Sequence, residues 1–210
     1  MDTSDITLLN EGKMLPVMEA FYTLQGEGFN TGQAACFVRI GGCDVGCWWC
    51  DVKESWNASL FPPTPVDQIV AYAASFPAKA VVVTGGEPLL YNLDYFCKKL
   101  KESGIRTYLE TSGSLRLSGS WDWICLSPKK DVPPLPETLK KANELKVIIH
   151  EPEDLRWAET NRPLVSPECL LYLQPEWSSR RQIIPVIIDY IKKYPVWKIS
   201  LQSHKYMNIP

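Results

Sequence analysis

The sequence predicts an α/β fold, a partial TIM-like (β/α)6-type barrel carried by a single domain over residues 1–210. Three observations predict it. Short β-branched or apolar runs alternate with helical patterns along most of the chain. That alternation implies parallel strands joined by crossover connections. Polar or glycine-bearing segments then follow strand after strand, and in a parallel barrel all such positions lie on the face where active sites are built. A flat doubly wound sheet would share the first two features, so the third favours the barrel.

The expected strands are Met18–Leu24, Cys36–Ile40, Ala80–Thr84, Arg106–Glu110, Trp123–Leu126, Leu145–Ile149, Leu170–Leu173 and Trp197–Leu201. Helices are expected at Val66–Ser75, capped by Thr64 with Pro65 in first position, and at Leu93–Ser103, capped by Asn92 with Gly104 just past its end. Pro136–Ala142, Pro152–Glu159 and a helix within Ser178–Tyr194 follow; Pro185 either kinks the last or starts it. The post-strand segments include Thr84-Gly85-Gly86-Glu87-Pro88, Glu110-Thr111-Ser112-Gly113, Ser127-Pro128-Lys129, His150, Gln174-Pro175 and Gln202-Ser203-His204-Lys205.

Composition narrows the class. The chain has 210 residues, 45% hydrophobic and 22% charged, with a net charge of -2. No basic patch points to nucleic acid, no long apolar run to a membrane, and the first residues lack a secretory pattern. The cytoplasm is the default location. Seven cysteines, three of them within eight residues, suit one metal or cluster site in a reducing compartment better than a disulfide framework. Cys36, Cys97, Cys125 and Cys169 sit among apolar neighbours and read as core.

The clustered cysteines are Cys43, Cys47 and Cys50, a C-x3-C-x2-C pattern on a glycine-containing loop after a strand. Three thiolates can hold an iron–sulfur cubane and leave one iron open for chemistry. Structural zinc would want a fourth ligand, and His150 and His204 are both distant in sequence. A colourless zinc-stabilised binding module therefore stands as the non-enzymatic alternative to a brown iron–sulfur protein.

With Trp49 before the last cysteine and Thr84-Gly85-Gly86-Glu87-Pro88 downstream, the pattern resembles the radical S-adenosylmethionine (SAM) superfamily. Within it, Phe21 to Gly28, Phe37-Val38-Arg39, Gly42-Cys43, Cys47 to Asp51, Glu110-Thr111-Ser112-Gly113, Ser127-Pro128-Lys129, Leu145-Lys146-Val147, Leu173-Gln174-Pro175 and Leu201 to Lys205 resemble the 7-carboxy-7-deazaguanine synthases over nearly the whole chain. The resemblance implies a lyase with a 4Fe-4S cluster whose open iron binds SAM. An adenosyl radical takes a hydrogen atom from 6-carboxy-5,6,7,8-tetrahydropterin, the ring contracts with loss of ammonia, and SAM is regenerated. The product feeds 7-deazapurine (queuosine) biosynthesis. A glycyl-radical activase would share the cysteines, but residues 21–28 and Arg39 suit a small carboxylated heterocycle.

The same resemblance assigns residues. Arg39 would take the substrate carboxylate as a bidentate fork. Leu24, Gln25, Gly26 and Glu27 would pair with the aminopyrimidinone edge, with Thr84 and the carboxylate of Pro210 also touching substrate. SAM would meet Trp49, Gly86, Glu87, Ser127, Pro128, Lys129, Gln174, Pro175, Glu176 and Trp177. Glycine at 85 and 86 would let backbone approach a ligand closely. Relatives often carry a Mg2+-binding hydroxyl two residues after the last cysteine; here Val52 has none, which predicts weakened Mg2+ dependence. A flavodoxin or ferredoxin would supply the electron, and a homodimer is expected, with Trp121 or Trp157 as exposed aromatics at its surface.

Overall fold

The computed structural model describes residues 3–210. Helix α1 (Thr3–Asn10) leads into β1 (Met14–Leu24) and β2 (Ala34–Ile40). Strand β3 (Pro63–Pro65) and helix α2 (Val66–Ala74) follow the cysteine loop, and then come β4 (Ala80–Gly85), α3 (Asp94–Glu102), β5 (Arg106–Thr111) and β6 (Trp123–Leu126). The chain continues through α4 (Pro136–Lys141), β7 (Glu144–Ile149), α5 (Asp154–Asn161), β8 (Leu170–Pro175), α6 (Arg180–Lys193), β9 (Trp197–Ile199) and α7 (Ser203–Met207). Every expected strand is present, most with ends shifted by one to four residues.

One nine-stranded sheet runs β3-β1-β2-β4-β5-β6-β7-β8-β9. Strands β2 and β4 to β9 are parallel, while β1 and β3 add antiparallel. The sheet is open at β3 and β9 but strongly curled. In a flat sheet β1 and β7, five places apart, would be about 24 Å from each other. Instead, Lys146 of β7 reaches Glu27, just past β1, at 2.6 Å. The ends also meet directly: Ser203 N donates to Gly26 O and Gly28 N to Ser200 Oγ, both at 2.9 Å. A partial barrel describes this arrangement.

Period-two alternation sorts the strands into two faces. Outward-facing Cys36, Val38, Ile40, Val81, Val83 and Leu109 pack with α2 and α3. Leu145, Val147, Ile149, Leu171 and Leu173 pack with α4 to α6. The intervening residues, among them Arg39, Thr84, Glu110, Lys146 and Gln174, point inward to the concave face. All four scattered cysteines are buried.

Several local expectations need correction. Thr64 is not the cap of α2: it pairs in β3 opposite Leu15, and Pro65 takes the N-cap position without a side-chain bond. Leu93, not Asn92, is the N-cap of α3, although Asn92 Oδ1 does accept from Asp94 N at 2.9 Å. Gly104 closes α3 as expected, in the left-handed region (φ 68), with Gly104 N bonded to Lys101 O and Ile105 N to Leu100 O. Helix α6 runs through Pro185, which is exposed and has no N–H to donate to the Arg181 carbonyl. Trp121 and Trp157 are half-buried and pack against the two outer cores, so neither is an exposed aromatic. Among the described residues, no helix is long and apolar enough to cross a membrane.

Candidate active site

A cavity of about 380 Å³ opens at the C-terminal ends of the parallel strands. Its shape begins with two glycines. Gly85 has φ 128, and a Cβ there would overlap the backbone of Ile40. A Cβ on Gly86 would overlap the Gly42 carbonyl oxygen. Gly86 N donates to Ile40 O at 2.9 Å and Glu87 N to Gly42 O at 2.8 Å. The close backbone approach expected toward a ligand is thus made to the cysteine loop itself, which these bonds fix in place.

Cys43, Cys47 and Cys50 all line this cavity and are half-buried. Burial raises the Cys47 thiol pKa; the neighbouring Lys129 lowers it, while Cys43 and Cys50 raise it further. Val52 N donates to Cys50 Sγ at 3.4 Å, the kind of backbone bond that tunes a cluster sulfur. Among the described residues, no three His, Cys, Asp or Glu side chains converge closely enough to hold one metal ion. Three thiols facing a shared space without meeting at one ion-sized point suit a cubane with an open iron better than tetrahedral zinc.

Another part of the wall is polar. Gln25 Nε2 donates to Glu110 Oε1 at 3.2 Å, and Gln25 Oε1 accepts from Glu27 N at 3.1 Å. Lys146 Nζ bridges Glu27 Oε2 (2.6 Å) and Glu110 Oε2 (2.9 Å). Burial pushes Glu27 up, but the Lys146 charge and hydrogen bonds from Lys146, Gln174 and Gln202 bring its pKa down to about 2. Arg39 lines the cavity while its Nε donates to Glu19 at 2.7 Å. Thr84, Leu24 and Gly26 face the same space.

Toward the other side, Lys129 Nζ donates to Ser127 O (2.5 Å) and Oγ (2.7 Å) and lies 5.4 Å from the Trp49 ring centre. Glu87 and Glu176 line the cavity, and their carboxylates are engaged by neighbouring donors. Glu87 accepts from Leu89 N, Thr111 Oγ1, Ser112 N and Ser112 Oγ. Glu176 accepts from Ser178 N, Ser178 Oγ and Ser179 N. Gln174, Pro175 and Trp177 line the wall; Pro128 is buried behind it and does not.

The C-terminus closes the site. Helix α7 is tied to the cysteine loop by Lys205 Nζ to Asp51 Oδ2 at 2.6 Å, and Lys205 lies 4.9 Å from the Trp177 ring centre. Asn208 ends α7 in the left-handed region (φ 55), which turns the chain back and brings Pro210 to the cavity. Val52 lines the cavity without offering oxygen, and the nearby Ser55 hydroxyl is engaged by Val52 O at 2.6 Å.

Among the cavity residues that received no individual role from the sequence are Glu110, Lys146, Gln202 and His204, although Glu110, Gln202 and His204 do belong to the post-strand segments expected on this face. Lys146 had a signal, a single cation inside the apolar strand Leu145–Ile149. His150 does not line the cavity; its ring meets Trp48 edge-on and its Nδ1 lies 3.4 Å from Glu176.

Residues 37–150 match the model of the radical SAM superfamily. Over their full lengths, the chain is 51% identical to the 7-carboxy-7-deazaguanine synthase of Flavobacterium psychrophilum. The chain belongs to this family. It is also 46% identical to the 7-carboxy-7-deazaguanine synthase of Synechocystis, covering 92% of this chain and 93% of that one. The crystal structure of QueE from Escherichia coli superposes with a TM-score of 0.83 at 27% identity, covering 97% of this chain and 100% of that one. The cavity presents the three cysteines at one part of its wall and the polar network at another.

Proposed function

We propose that this chain converts 6-carboxy-5,6,7,8-tetrahydropterin to 7-carboxy-7-deazaguanine with release of ammonia, as a step toward queuosine and related 7-deazapurines. The observation that carries the reading is the joint placement, around one cavity, of Cys43, Cys47 and Cys50 with Gln25, Glu27, Arg39 and Pro210. Cys43, Cys47 and Cys50 would hold the cluster. When bound, the cluster and SAM supply one electron and a carbon radical able to take a hydrogen atom.

The chain's own residues bind, orient and exclude water. Arg39 meets the substrate carboxylate, and its Nε bond to Glu19 fixes the plane of the fork. Gln25, Glu27 and the backbone at Leu24 and Gly26 accept and donate along the aminopyrimidinone edge. Thr84 and the Pro210 carboxylate complete that pocket. Trp49, Gly86, Ser127, Lys129, Gln174, Pro175 and Trp177 form the SAM wall. Glu87 and Glu176 belong to the same wall, their carboxylates held by neighbouring donors, whereas Pro128 is buried and supports it from outside the cavity.

Mg2+, if it assists at the substrate carboxylate, would be held by substrate and water oxygens, because Val52 offers none. Family resemblance supports a single catalytic domain acting as a cytoplasmic homodimer and reduced by a flavodoxin or ferredoxin. The test is an anaerobic incubation of cluster-reconstituted protein with SAM, a reductant and the tetrahydropterin, read by mass spectrometry. Formation of 7-carboxy-7-deazaguanine is expected. Formation of 5′-deoxyadenosine alone would leave the radical machinery standing and overturn the substrate.

A further inference from the structure

Lys146 is an unusual residue for the middle of a core strand. Its side chain is only 4% exposed, whereas those of Glu27 and Glu110 are 18% and 21% exposed. All three line the same cavity. The ammonium therefore sits beneath the two carboxylates, and a ligand in the cavity meets the carboxylates first. The Gln25 amide bridges the pair from the side, donating to Glu110 and accepting from the Glu27 backbone, which fixes both the amide and the carboxylates.

Two partly buried carboxylates bound to one ammonium would, without it, favour sharing a proton, because like charges in a low-dielectric site resist ionising together. Paired with the ammonium, carboxylate oxygens offer a ligand only acceptors. An acceptor-only pair suits a ligand edge that carries several N–H donors, such as a ring nitrogen beside an exocyclic amino group. It opposes an edge that places a carbonyl oxygen at the same point, since lone pairs would then face lone pairs.

We infer that Lys146 is a positioning residue that holds Glu27 and Glu110 as a paired acceptor for the amino-bearing edge of the heterocycle, and that this pair selects an amino over an oxo substituent. The inference rests on the pterin reading above and deepens it. Glu110 becomes a second substrate acceptor beside Glu27. The pKa of Glu27, brought down to about 2, agrees with a Glu27 carboxylate that stays ionised throughout the working range. Other groups face this cluster too. Cys125 and Glu144 lie against Lys146 from β6 and β7, Lys129 from the loop after β6, and His204 faces Glu27 from α7. Burial holds the His204 pKa below its ordinary value.

The experiment measures equilibrium binding of 6-carboxytetrahydropterin and of its 2-oxo counterpart to the anaerobically reconstituted enzyme, alongside KM and kcat for the former. Wild type is expected to prefer the amino compound by at least about tenfold, with KM flat between about pH 6 and 9. Lys146→Met should raise KM about 10- to 100-fold with a smaller change in kcat, and its KM should improve as pH rises and the shared proton leaves. Lys146→Arg should restore the flat profile. Glu110→Gln keeps the ammonium paired with Glu27 and provides the test if Lys146→Met does not fold. It should reduce the amino-over-oxo preference by about tenfold or more. Equal binding of the two compounds by wild type, or an unchanged preference in Glu110→Gln, overturns the inference. So does a folded Lys146→Met with wild-type KM and a flat profile. Absence of the deazaguanine product from wild type would instead overturn the functional reading, so the two failures are distinct.

Discussion

At the residue scale, the clearest constraints are steric. Gly86 stacks on the Gly42 carbonyl, and neither side of that contact is a flexible side chain. Gly86→Ala must therefore push the cysteine loop away. It should destabilise the protein by about 1–3 kcal/mol, and it should lower cluster content per chain, read as brown absorbance after reconstitution. A variant with full colour and an unchanged melting temperature would show that the loop yields freely. Single serine substitutions at Cys43, Cys47 or Cys50 should each abolish stable colour, since only three thiols line the cavity. Cys36, Cys97 and Cys169 are buried with thiol pKa values raised by burial, to about 11, 12 and 12, so they are poor substitutes as thiolate ligands. The cysteine motif was legible in the sequence because its ligands are local. Glu110 was not assigned there, because its meaning depends on a lysine 36 positions later.

At the element scale, α7 acts as a short strap between the cysteine loop and the end of β1. Its ties are Lys205 to Asp51, and Ser203, through both N and Oγ, to Gly26 O. The Lys205–Asp51 pair is partly exposed, at 20% and 53%, so its contribution to stability is small, about 0–1 kcal/mol. Its role is geometric, because α7 delivers Pro210 to the cavity. Lys205→Met is therefore expected to leave the melting temperature nearly unchanged while raising KM for the pterin about three- to tenfold. Residues appended after Pro210 should have a larger effect on KM than Lys205→Met. Wild-type KM in the extended protein would separate the terminal carboxylate from substrate binding. This helix and the three-residue β3 were not evident as elements from periodicity: β3 is three residues long and α7 five, too few to show a period.

At the scale of the whole molecule, the curl of the sheet brings buried charges together, and acid should expose that. Glu27 has a folded pKa of about 2, below its ordinary value of 4.5. Its contribution to stability is thus complete above about pH 4.5 and is lost as pH falls toward 2, when the unfolded chain binds the proton more readily than the folded one. Denaturant midpoints of the metal-free protein should decline across that window, and Glu27→Gln should decline less steeply. Equal slopes would show that the Glu27–Lys146 pair does not govern acid stability. Activity measured after chelation of divalent cations should fall only weakly, because Val52 gives Mg2+ no side-chain oxygen; a strong loss restored by Mg2+ would contradict this.

The sequence by itself determined the strand–helix alternation, the cysteine spacing, the two-glycine turn and the set of polar residues that follow the strands. All of these are set by chemistry between near neighbours: strand period, turn conformation and the reach of one loop around a cluster. Only the tertiary structure decided which polar groups meet. Strand order and curl place Glu27, Glu110 and Lys146 within hydrogen-bonding distance across five strand positions, engage Glu87 and Glu176 with neighbouring donors, and fold the last residue back over the cavity. Those outcomes depend on long-range closure of the sheet, which no local pattern in the chain encodes.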